Sequence, residues 1–199
     1  MKRAQVKREG FDPNLELPYA LKPEVFSIAM DDIYEMLATA NEALIERGLL
    51  RLEESVRGAI YSGLLSDLMA EAIANHAGGL TKNEYPNGHP DLLPVGRYPD
   101  DSAQTAEEGL EVKITGKPGG AVDMHGNRTA WYCVSRYEVD LDTQPVVGRA
   151  PTRFTHIWVA RLQPKDFRKN ERGPLGTRTA TPHKEGLKVL RAGLLYKDD

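Results

Sequence analysis

Three side chains with the chemistry to hold a cation and act on a bound water lie within one stretch of this chain. Asp91 follows His89-Pro90, and Glu111 and Lys113 stand in Leu110-Glu111-Val112-Lys113-Ile114-Thr115. The second run alternates apolar and polar side chains, the period-two pattern of a β-strand. Glu111 and Lys113 therefore point to one face, and Leu110, Val112 and Ile114 to the other. An acid and a base two apart, backed by an apolar face, suit a site that holds a metal ion and a water beside a phosphate. Taken alone, Pro90-Asp91 reads as an ordinary turn. Glu111 and Lys113 downstream turn it into part of a constellation.

Pro90-Asp91 followed by Glu111-Val112-Lys113 resembles the motif of the PD-(D/E)xK nuclease superfamily, whose best-known members are type II restriction endonucleases. The resemblance spans roughly residues 60–163, and its motif is short. It implies an α/β (α+β mixed) restriction-endonuclease-like core, with a central mixed sheet of about four strands flanked by helices. It implies Mg²⁺-dependent hydrolysis of DNA phosphodiesters, with Mn²⁺ as a substitute. Asp91 and Glu111 would be metal ligands, the Val112 carbonyl a third, and Lys113 would assist the attacking water. It further implies a 5′-phosphate product and a homodimer cutting both strands of a palindromic site in double-stranded DNA.

Superfamily members often carry an additional acid on the helix before the first catalytic strand. At about 100° per residue, Val56, Ile60, Leu64 and Leu68 form an apolar stripe, and Glu71 falls between Ile60 and Leu64. A carboxylate within such a stripe is costly to bury unless it is paired or bound to a metal. Glu71 is the expected additional catalytic acid and metal ligand, with Asp67, one turn earlier, as second choice. Pairing of Glu71 with a core arginine such as Arg97 or Arg136 is the alternative.

The elements that must position these groups follow from pattern. Residues 1–20, broken by Pro13 and Pro18, read as an irregular, frayed arm. Pro23 suits the first turn of a helix whose apolar side chains run from Phe26 to Leu44, with Gly48 at its end. A second helix is predicted from about Leu50 to Ala77, closed by Gly78-Gly79. These form a helical part, residues 21–78, before a catalytic sheet and DNA-recognition loops in residues 79–199, all within one domain. Pro94 places the segment after Asp91 at an edge or a bend. Strands are predicted over Ala130–Val139 and Phe154–Leu162, and a short helix over about Lys184–Leu195. No helix is predicted between Leu141 and Pro151, where superfamily members usually have one. A Gln-x-x-x-Tyr signature after Lys113 is also absent.

Two stretches suit contacts to DNA. The loop after Thr115 carries His125, Asn127 and Arg128, side chains that hydrogen-bond base edges or phosphates; a solvated hairpin loop is the alternative. Asp166–His183 carries Lys169, Arg172, Arg178 and His183 and reads as a recognition loop or a solvated one. The net charge of −3 argues against binding polyanions by bulk charge, yet the bases gather in the tail and the acids between Asp91 and Glu111.

Composition removes other classes. The single cysteine, Cys133, excludes an internal disulfide and a cysteine-rich metal site. The five histidines have no helical zinc-site spacing, and no serine sits in a nucleophile elbow. No apolar run reaches membrane-spanning length, and no apolar segment follows the basic N-terminus, so the expectation is a cytoplasmic protein with no membrane partner. The alternatives to a restriction endonuclease are an inactive nuclease-fold module that binds DNA, and a nuclease of repair or mobile-element processing.

Overall fold

The structure, a computed structural model, describes residues 2–117, 128–169 and 180–198. Its centre is a mixed six-stranded sheet in the order β1-β2-β3-β4-β5-β8. The strands are β1 (Leu80–Lys82), β2 (Leu92–Pro94), β3 (Leu110–Thr115), β4 (Ala130–Glu138), β5 (Arg153–Leu162) and β8 (Leu194–Lys197). β3 and β4 run parallel, and every other neighbouring pair is antiparallel. Being parallel, β3 and β4 do not form a hairpin. β6 (Phe167–Lys169) and β7 (Ala180–Pro182) form a separate two-stranded ribbon.

The sheet exceeds the expected four strands because β1 and β8 are too short to show a period. β8 also begins where the last helix was predicted to continue. That helix, α4, stops at Ala192 (Lys184–Ala192), and Gly193 leads straight into the strand.

Helix α1 (Pro23–Glu46) begins on its proline and is followed by Gly48 in the left-handed region, as its sequence signals require. The next helical stretch is two helices, α2 (Leu52–Ser55) and α3 (Gly58–Ala77). Between them Val56 is extended, at φ −123° and ψ 155°. The break is anchored by Arg51, which is 1 % exposed. Arg51 pairs with Glu53 and Glu54 and donates to the carbonyls of Asp140 and Ala150.

α1 and α3 cover the face of the sheet that carries Leu110, Val112, Ile114, Cys133, Ile157 and Val159. α4 and the β6–β7 ribbon cover part of the other face, burying Tyr132, Val134, Trp158 and Leu162 with Phe167, Ala180 and Leu190. The N-terminal arm is irregular but not frayed. Ala4 is buried, Phe11 bridges to Tyr196, Lys7 pairs with Asp198, and the Tyr19 hydroxyl accepts from Gly109 N at the entry to β3. Among the described residues no helix is long and apolar enough to cross a membrane.

Candidate functional site

The site is built on the edge of β3. β2 pairs with β3 only at Leu92 and Leu110. Beyond that point the β3 amides facing β2 need other acceptors. Val112 N–H donates to Asp91 Oδ2 over 2.7 Å, and Ile114 N–H donates to Ser66 Oγ of α3 over 3.0 Å. Asp91 is thus fixed against β3 by the backbone it serves. Asn83 holds the approach to it, donating to the Pro90 carbonyl at 2.9 Å and the Ala103 carbonyl at 2.8 Å.

Alternation along β3 places Glu111 and Lys113 on the face away from α1 and α3, in register with Tyr132 and Val134. The Lys113 ammonium lies 2.6 Å from Glu111 Oε1 and 3.5 Å from Asp91 Oδ2. It also donates to the Val112 carbonyl at 3.1 Å. Two carboxylates and one backbone carbonyl therefore converge on a single positive charge. These are hard oxygen donors, the type that Mg²⁺ and Mn²⁺ take. Among the described residues no three His, Cys, Asp or Glu side chains gather as a metal-binding group. The donor set here is instead two carboxylates and a main-chain oxygen, and it fits a divalent cation.

The electrostatics are uneven. Burial opposes the charge on Glu111, but the His89 hydrogen bond and the Lys113 ammonium outweigh it and hold the carboxyl down at about 2. Burial, with the Glu111 charge behind it, pushes Asp91 up against the pull of Lys113 and the Val112 N–H. Burial would lower Lys113, yet the charges of Glu111 and Asp91 together raise it. Glu111 is the fixed anion, Lys113 keeps its proton, and burial with the neighbouring Glu111 charge opposes the charge on Asp91.

Asp91 and Lys113 open into a cleft of about 530 Å³, lined also by Asp67, Lys82, Asn83 and His89. Behind Glu111 a small cavity is walled by His89, Pro90, Arg128, Thr129 and Tyr132. Arg128 Nη1 is buried without a hydrogen-bond partner among the described residues. Burial pushes the Tyr132 phenol up to about 12, with Glu111 adding to it, so that hydroxyl remains a proton donor. A larger hollow, about 800 Å³, lies at the other end of β3 beside Tyr61, Gly116 and Tyr137. Its α2 acids, Glu53 and Glu54, are committed to Arg51 and Arg149.

The placement expected for Glu71, within a buried apolar stripe, is corrected. The buried side of α3 is Tyr61, Leu65, Met69, Ala72 and Ile73, whereas Ile60 is half exposed. Glu71 lies on the solvent side and pairs at 2.9 Å with Lys82, not with Arg97 or Arg136. The helix break at Val56 and the broadly apolar surface of α3 defeated the projected stripe. Asp67, the second choice, does line the cleft with Asp91 and Lys113.

Of the residues expected to touch DNA, Arg128 adjoins the site, as above. Lys169 lies in β6. His125, Asn127, Arg172 and Arg178 fall outside the described residues. His183 caps α4: its Nδ1 accepts from Glu185 N and Gly186 N, and its Nε2 donates to the Lys165 carbonyl at 2.7 Å. Both ring nitrogens are thus engaged within the chain. His89, Asn83 and Tyr132 are site residues that sequence reasoning did not assign. Only His89 had a signal, its place beside Pro90-Asp91. Comparison with known proteins returns no matching family model, no similar curated protein and no similar solved structure.

Proposed function

We propose that this chain is a divalent-metal-dependent endonuclease of the PD-(D/E)xK kind, hydrolysing DNA phosphodiester bonds, with site-specific restriction as its role. The observation that carries the reading is the convergence of Asp91, Glu111 and the Val112 carbonyl on one cation, the Lys113 ammonium. A divalent ion held by these oxygens would polarise the scissile phosphate and lower the pKa of a water. Glu111, anionic far below neutral pH, supplies the permanent charge of the donor set. Asp91, raised by burial and by Glu111, completes it. Lys113 borders the cleft beside Asp91, where a protonated amine donates to a phosphoryl oxygen and orients the attacking water. Arg128 lines the cavity with Glu111 and has a buried Nη1 without a hydrogen-bond partner among the described residues, so it would supply further positive charge for a phosphate. A homodimer acting on double-stranded DNA belongs to the same proposal.

The test is incubation with phage or plasmid DNA in Mg²⁺ and in EDTA, beside Glu111→Ala. Discrete fragments in Mg²⁺ alone, ending in 5′-phosphates and absent with the variant, are the expected result. DNA left intact under all conditions overturns cleavage as the function.

A further inference from the structure

We propose that His89 is a positioning residue that fixes the Glu111 carboxylate for cation binding, an inference that rests on the cation-site reading above. Its Nδ1 lies 3.3 Å from Oε2 and 3.3 Å from Oε1 of Glu111. An ionised carboxylate only accepts, so the proton of this bond sits on Nδ1. Lys113 holds Oε1, and the imidazole reaches both carboxylate oxygens. The terminal torsion of a glutamate is broad, so one contact leaves the carboxylate free to turn, and a second contact, from another residue, restricts it.

The main chain that carries the ring is anchored. His89 N–H donates to the Gln104 carbonyl at 3.1 Å, and Ala106 N–H donates to the His89 carbonyl at 2.7 Å. The next carbonyl, of Pro90, is held by Asn83. His89 also forms the wall shared by the cleft of Asp91 and Lys113 and the cavity behind Glu111. A side chain at that partition, fastened through its main chain on both sides, keeps Oε1 directed at the point where Asp91 and the Val112 carbonyl converge. Partners that orient a ligating group in this way typically change metal affinity by about 10–100-fold when removed.

The test needs neither DNA nor turnover. Mn²⁺ is titrated calorimetrically into the full chain carrying the native histidine, His89→Asn or His89→Leu. Asparagine keeps a donor near the place of Nδ1 but has less volume; leucine keeps more volume and has no donor. The expected result is binding about 10–100-fold weaker for His89→Leu, with His89→Asn close to the native protein and melting temperatures of both near native. A packing role reverses that order. His89→Leu binding Mn²⁺ like the native protein overturns the role of His89 alone, while a native protein that binds no Mn²⁺ overturns the cation site and this role together. If His89→Leu does not fold, His89→Ala replaces it, and equal affinities of His89→Ala and His89→Asn overturn the role.

Discussion

The backbone N–H of Val112 donates to Asp91 Oδ2 over 2.7 Å, and this bond joins two segments twenty-one residues apart into one site. It exists because β2 leaves β3 after a single residue pair, so a side chain takes the place of a neighbouring strand. The carboxylate that satisfies the strand edge is thereby held beside the lysine two residues along from Glu111.

The entry to β3 depends on Gly109, whose φ of +137° is open to glycine and strained for other residues. A Cβ there would overlap the Leu92 carbonyl and the Pro90 ring. Gly109→Ala is expected to cost about 1–3 kcal/mol through strain alone, and more through the overlap. Urea unfolding of the two proteins measures it.

Glu71 and Asp67 separate cleanly. Glu71→Gln removes an exposed ion pair with Lys82 and is expected to shift stability by no more than about 0.5 kcal/mol, with cleavage unchanged. Asp67→Asn changes a residue that lines the cleft and is expected to lower cleavage with the fold intact. Side-by-side rates on one DNA substrate decide it.

The site was more legible in the sequence than the fold around it. Strict alternation in Leu110–Thr115 sufficed to place Glu111 and Lys113 on one face, and Pro90-Asp91 marked their partner. α1 was legible from end to end because Pro23 and Gly48 bracket a clear period. α3 was not, since Ala, Gly and Leu spread apolar surface around its circumference and the break at Val56 set its phase. The docking of residues 2–20 rests on single contacts such as Tyr19 with Gly109, and these leave no periodic trace.

Arg51 is buried with Glu53, and the pair ties the start of α2 to the β4–β5 connection through the carbonyls of Asp140 and Ala150. Arg51→Ala leaves Glu53 buried without its cation and is expected to cost about 3–5 kcal/mol in chemical denaturation.

Asp198 gives a pH signature outside the site. Burial opposes its charge, but hydrogen bonds from Lys7 and Arg153 outweigh it and hold the carboxyl below its ordinary value of 3.8. A carboxyl lowered by folding adds stability above that ordinary value and loses it as pH falls through the folded-state value. The stability gap between the native protein and Asp198→Asn is therefore expected to be constant above about pH 5 and to shrink below the unfolded carboxyl range. Denaturation midpoints across that range measure it.

Mn²⁺ affinity of Lys113→Ala tests the central claim most directly, because the ammonium sits where Asp91, Glu111 and the Val112 carbonyl converge. Removing it withdraws the competitor and keeps every oxygen donor. The expected result is Mn²⁺ bound at least as tightly as by the native protein, with cleavage lost, while Glu111→Ala loses both. Mn²⁺ binding that disappears with Lys113→Ala in a folded protein, or that survives unchanged in Glu111→Ala, would contradict it.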